Sequence, residues 1–238
     1  MTILLTALVV ATTPADSLCE RAAYLFFNRH LAPGNLDSAY RLLGEVRRLA
    51  PDHQRGLYLW SRIHVQLGDL AGTKREKFSL YEKAKAIADT LKCLNPKNAD
   101  GVMWWAVAQG RIGQTRGVLN SLFMVPTLKR EFGRVLELDP KHPTAYDAFG
   151  VLYYELPGFA GGDLARSEEY LVRGLQIDPN YTLIRLDLAK TYIKQGRLDE
   201  ARTQLNYVLS TGRPTYPADC LLDDQPEARE LLAQLDRR

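Results

Sequence analysis

Chemistry on a substrate needs a nucleophile, a metal cluster or a phosphate cradle, and each has a spacing that can be sought in a sequence. Cys19, Cys93 and Cys220 are odd in number and far apart, so they imply neither a disulfide framework nor a zinc site. A reactive thiolate wants an electropositive, exposed setting, and Cys220 stands beside Asp219, Asp223 and Asp224 instead. His30, His53, His64 and His142 have no second histidine or carboxylate at a spacing that would favour a metal. Gly68-Asp69-Leu70-Ala71-Gly72-Thr73-Lys74 has the wrong order and spacing for a phosphate loop and reads as a turn between helices. The carboxylate pairs Glu168-Glu169 and Asp223-Asp224 are adjacent in sequence, so they do not face each other across a cleft. These residues predict no catalytic set, no metal and no cofactor, and a chain that is not an enzyme.

The bulk composition is that of an ordinary soluble globular protein. Of 238 residues, 46% are hydrophobic and 25% charged, enough apolar material for a sizeable core. The net charge is +3, and basic residues alternate with acids, as in Lys74, Arg75, Glu76 and Lys77. That is the pattern of a solvated helix face, not of a nucleic-acid surface.

Ile3 to Ala11 form a short apolar run, followed by Thr12-Thr13-Pro14-Ala15. A bilayer span takes about 20 residues, so no transmembrane segment is expected here or elsewhere. The run fits the core of a secretory signal peptide over residues 1–15, with small residues at Ala11 and Ala15 for cleavage, although no Lys or Arg precedes it. Export, to a periplasm or its equivalent, is therefore expected; the alternative is a cytoplasmic chain whose first helix packs on its neighbour.

The elements that would position any site show a period. Pro51, Pro96, Pro140 and Pro179 each close a run with helical spacing, at intervals of roughly 40 residues. Stacked helix pairs have this signature, and the tetratricopeptide unit is about 34 residues with a proline near its end. Anchored on Pro140, the first-helix slots hold Tyr146, Phe149, Gly150 and Tyr153. Second-helix slots hold Leu128, Phe132 and Val135, then Ser167, Leu171 and Gly174, then Ala201, Leu205 and Val208. Small residues at fixed slots let antiparallel helices approach closely while large apolar ones fill the seams. The fold expected is all-α: a solenoid of about five helix pairs, near 18–50, 53–95, 98–139, 142–178 and 181–210, within a single domain 16–238 of about 65–75% helix.

Excess length over the repeat predicts insertions. Residues 73 to 94 read as an overlong second helix, and Thr115 to Met124 as an extra apolar helix broken at Pro126. Leu156 to Asp163 is a proline-glycine loop, with Asp163 placed to cap the next helix. Thr215 to Asp224 reads as turn-rich, before a capping helix over 225–236.

Solenoids bind along the wall formed by their first helices. By register, that wall carries Asn28, Tyr58, Arg62, Met103, Val107, Asp147, Val151, Tyr154, Leu186 and Lys190. It mixes an apolar floor with a positive end at Arg62 and a negative end at Asp147, a surface suited to an amphipathic segment of a protein partner. Arg62 is the expected anchor, since its planar fork can pair a carboxylate while stacking on Tyr58.

Tyr153 to Asp163, including Pro157, Gly158, Gly161 and Gly162, together with Arg111 to Pro140 before it, resembles two related groups. These are the TRAP-transporter-associated tetratricopeptide proteins and the regulator-of-microtubule-dynamics group. The likeness spans roughly residues 36 to 212. It implies an α-solenoid, a periplasmic location in bacteria, self-association into trimers, and partnership with a transporter's solute-binding protein. The reading from all of this is a non-enzymatic interaction module. The alternatives are a cytoplasmic adaptor holding a partner's tail, and a carrier in which the inserted helix roofs a groove for a small apolar ligand.

Overall fold

The computed structural model describes residues 13–237. Of the described residues, 82% are helical, and no strand occurs among them. Ten helices form five antiparallel pairs: α1 (Pro14–Phe27) with α2 (Asn35–Leu49), α3 (Gln54–Leu70) with α4 (Lys74–Leu94), α5 (Ala99–Arg116) with α6 (Val118–Leu138), α7 (Pro143–Glu155) with α8 (Leu164–Ile177), and α9 (Thr182–Gln195) with α10 (Leu198–Ser210). Each pair stacks on the next to form the solenoid.

The proline phrases make the same turn each time. Asn95, Asp139 and Asp178 end their helices, and each side-chain oxygen accepts the backbone N–H two residues on, at 3.1, 2.9 and 3.0 Å. The proline between cannot extend the helix, and the Asx oxygen fixes the turn. Packing follows the slots. Ala201, Leu205 and Val208 are fully buried, as are Ser167 and Leu171. A Cβ at Gly150 would stand 2.5 Å from Leu171 Cγ, so the α7/α8 seam is closed around the absence of a side chain.

Three features differ from the expectations above. The solenoid begins earlier than residue 16: Thr13 caps α1, accepting from the Asp16 N–H while the Asp16 carboxylate accepts from the Thr13 N–H. Ala15 is thus a buried residue of the first helix, and the apolar run before it lies outside the described residues. The expected extra helix at 115–124 is no separate element. Its residues extend α5 to Arg116 and begin α6, with only Gly117, at φ 110°, between them. Helix α6 runs through Pro126, an exposed position, because Met124 on one side and Leu128, Phe132 and Val135 on the other all pack into the same seam. The tail is also more ordered than a turn-rich stretch. After the non-helical residues 211–216 come α11 (Pro217–Asp219), a π-helical turn (Cys220–Asp224) and α12 (Gln225–Leu235). These insertions being helical is why the helix content exceeds the expected range.

The loop after α7 is closed by its own backbone. Gly162 and Ala160 N–H both donate to the Pro157 carbonyl, and Asp163 N–H donates to Tyr153 O at 3.0 Å. Asp163 Oδ1 accepts the Ala165 and Arg166 N–H groups at 2.9 and 3.1 Å, starting α8. A Cβ on Gly162 would fall 1.8 Å from the Leu156 carbonyl oxygen, so this position requires glycine. Phe159 at the tip is 90% exposed.

Candidate partner-binding wall

Helices α1, α3, α5, α7 and α9 line one side of the stack. Tyr58 and Arg62 come from α3, Met103 and Val107 from α5, Asp147, Val151 and Tyr154 from α7, and Leu186 and Lys190 from α9, with Asn28 at the end of α1. The wall is not an open groove along its length. Met103 and Leu186 are core residues, while Asn28, Tyr58, Val107, Val151, Tyr154 and Lys190 are half-buried. Asn28 caps α1, its amide donating to Tyr24 O. The Lys194 ammonium sits 3.4 Å from the centre of the Tyr154 ring.

Arg62 differs most from expectation. It is buried, and its guanidinium donates to Tyr58 Oη at 3.0 Å and to Asp219 Oδ2 at 3.2 Å. Four rings surround it: Tyr216 at 4.2 Å, Phe27 at 4.8 Å, Trp104 at 5.1 Å and Phe26 at 5.6 Å. Burial works against its charge, but Tyr58, Tyr216 and Asp219 outweigh burial and hold it charged. The anchor is therefore engaged, and its carboxylate comes from the same chain.

The segment that supplies this carboxylate crosses the wall from α10 toward α1. Asp219 also accepts from Arg29 at 2.5 Å, and Asp223 accepts from the other Arg29 nitrogen at 2.8 Å. Tyr216 stacks on Phe27, with ring centres 5.3 Å apart, and meets Tyr181 edge-on at 5.2 Å. Thr215 is tied to Asn180 O and to the Asp178 carboxylate. The strap thus joins the last helix pair to the first. Sequence reasoning missed Arg29, Tyr216, Asp219 and Asp223. The available signal was the acidic cluster around Cys220, with Asp219 and Asp223 four apart and so on one helical face.

At the other end the wall is acidic and closed. Asp147 is buried, and its Oδ1 has no hydrogen-bond partner among the described residues. Burial, reinforced by Asp187 and Asp224, pushes its carboxyl well above the usual range. Asp224 accepts from the Thr182 hydroxyl at 2.6 Å, yet burial raises it to about 7. Lys190 pairs Asp187 at 3.0 Å and Glu227 of α12 at 2.8 Å, and these acids raise its ammonium against the effect of burial.

A cleft of about 520 Å³ opens beside the strap. Phe27, Tyr58 and Tyr216 form its aromatic walls, Leu59 its floor, and Arg55 and Asp100 its charged rim. The other polar groups singled out in the sequence serve the fold. His64 stacks with Trp60 and donates from Nδ1 to Trp60 O, with its pKa lowered by burial. His53 caps α3 through Nδ1 and pairs Asp16 through Nε2. Cys19 and Cys220 are buried, and burial pushes the Cys19 thiol up to about 11.

Repeated helix pairs presenting an aromatic and cationic wall define a tetratricopeptide protein-interaction module. The sequence pattern of the regulator of microtubule dynamics protein 1-3 family matches residues 28–158, and that of the tetratricopeptide repeat matches 159–215. The chain belongs to the regulator of microtubule dynamics protein 1-3 family. Regulator of microtubule dynamics protein 1 from Bos taurus is 26% identical over 239 residues, covering 91% of this chain and 71% of the relative. The protein of the same name from Mus musculus is 27% identical over 253 residues, covering 96% and 77%. Among solved structures, a thermophilic TPR protein from Thermus thermophilus has a TM-score of 0.71 at 20% identity, covering 92% of this chain and 99% of that one. That likeness is one of fold.

Proposed function

We propose that the protein is a non-enzymatic adaptor whose first-helix wall holds a segment of a partner protein beside the strap. One observation carries this reading: buried Arg29 and Arg62 and the aromatic cleft of Phe27, Tyr58 and Tyr216 lie on the same stretch of wall. Planar cations set among rings are the groups that anchor protein interfaces. The open cleft is large enough for a side chain or short turn of a partner, and its rim offers one charge of each sign. A photo-crosslinking residue in place of Tyr58 would capture the partner's segment. A synthetic peptide of that segment is then titrated against the wild-type chain and Tyr58→Ala. Equal affinity for both would remove the cleft from the reading.

Export of the chain is part of the same proposal, supported by the apolar run Ile3 to Ala11. Cleavage after Ala11 would leave the Thr13 cap in place, whereas cleavage after Ala15 would remove the cap and a buried residue. Mass spectrometry of the mature N-terminus tests this, and an intact residue 1–15 segment would end it. An exported chain could meet the solute-binding protein of a tripartite transporter, the partner implied by the loop from Pro157 to Asp163. A titration with such a protein, and the molecular mass in solution for the trimer implied alongside it, decide both points.

A further inference from the structure

The strap is bonded to the wall like a docked ligand. Three of its contacts with the wall follow a helical spacing: Tyr216, then Asp219 and Asp223 three and seven residues later. They fill a receptor made by other parts of the chain, namely Phe27, Arg29, Arg62 and Tyr181. The side chains of Arg29 and Arg62 are only 4% and 7% exposed. A buried guanidinium is costly without a carboxylate, but the carboxylate can come from any chain that presents it in the right geometry.

The strap is also built to part from this receptor. Thr211-Gly212-Arg213-Pro214 joins it to α10 without helical structure. Its far end is a π-helical turn, a rare winding that is frequently found at functional sites. There Pro226, at the start of α12, has no N–H to continue the ladder. Asp224 is buried beside Asp219, Asp187 and Asp223, and this like charge works against the closed arrangement. Leu221 and Leu222, in the same turn, are exposed.

We propose that the pocket of Phe27, Arg29, Arg62 and Tyr181 is a recognition site for a partner's helical segment bearing an aromatic residue followed by acids at the third and seventh positions, and that residues 216–223 occupy this site in cis until such a segment displaces them. The proposal rests on the adaptor reading and specifies the chemistry of the partner. A phosphate or a nucleic acid does not satisfy it, because the site pairs two carboxylates and a ring in fixed register.

The probe is a fluorescein-labelled peptide spanning residues 213–226 with the change Cys220→Ser. It is titrated against the full wild-type chain and against the full chain carrying Tyr216→Ala and Asp219→Ala. The expected result is at least tenfold tighter binding to the double variant, abolished when Arg62→Ala is added to that chain. A folded double variant that binds no better than wild type overturns the proposal. A second measurement needs no variant. Cys220 lies in the strap and Cys19 in α1, both buried. Excess peptide should speed alkylation of Cys220 several-fold in the wild-type chain and leave Cys19 unchanged. Identical Cys220 rates with and without peptide overturn it as well. If a partner crosslinks at Tyr58 while Cys220 stays protected, displacement is rejected and the adaptor reading survives.

Discussion

The Arg62 guanidinium and the Asp219 carboxylate meet at 3.2 Å across 157 residues of sequence. In a stack where each helix pair packs mainly on its neighbours, this contact reaches from α11 near the end of the chain to the second pair. It turns a wall that sequence periodicity presents as open into one with its own occupant.

Removing this cation should cost stability. Arg62→Ala leaves Asp219 paired with Arg29 but empties a space ringed by four aromatics. The expected loss is about 2–4 kcal/mol, read by urea unfolding. A double-mutant cycle with Asp219→Asn should give a coupling free energy well above that of an exposed pair, which is about 0–1 kcal/mol. A coupling near zero would mean that the two groups are merely adjacent.

Stability should fall as pH rises toward neutrality, because of Asp224. Burial raises its carboxyl from 3.8 to about 7, so between those values the folded state holds a proton that the unfolded state has released. Its contribution is greatest below pH 4 and is lost as pH climbs through 7, a swing of at most about 4 kcal/mol. Asp16 acts oppositely: its bond from His53 lowers it to about 2, so its contribution is lost only in acid. Unfolding midpoints at pH 5.5 and 8 should therefore differ more in the wild-type chain than in Asp224→Asn. Equal differences in the two chains would remove Asp224 as the cause.

Gly150→Leu should wedge α7 from α8. Even a methyl group at this position meets Leu171 at 2.5 Å, so the larger side chain must displace the seam. A cost of about 1–3 kcal/mol is expected from overpacking, seen as a lowered thermal midpoint. An unchanged midpoint would contradict the close approach at this slot.

Gly162→Ala should loosen the proline-glycine loop, because its Cβ would collide with the Leu156 carbonyl. Gly158→Ala, with open space around it, should have little effect. The contrast is measurable as the difference in thermal midpoint between the two variants, and equal shifts would mean that the loop adjusts freely.

What the sequence made legible follows from range. The slots of Gly150, Leu171, Ala201 and Leu205 recur with the proline turns, since each pair obeys the same local packing. Asp163 as a cap was legible because the rule spans three residues. Helix α6 was misread at Pro126 because a local rule, that proline breaks helices, lost to the packing of Met124, Leu128 and Phe132 on both sides of it. The occupant of the wall was illegible for the opposite reason. Nothing near Tyr216 or Asp219 in sequence names Phe27, Arg29 or Arg62 as partners, and no repeat carries the pattern. Only the curvature of the whole stack brings them together.

A solenoid held by neighbour contacts alone can lose its end pairs one at a time, since each end leans on one neighbour. Here the strap fastens α1 and its following turn to the segment after α10, so neither end can fray before Asp219 leaves Arg29 and Tyr216 leaves Phe27. Both ends are then coupled into one melting unit, although they are the parts made farthest apart in time during synthesis. Arg29 after α1 and Arg62 in the second pair can meet their shared carboxylate only once residue 219 has been made, so the contact that joins the two ends closes a ring.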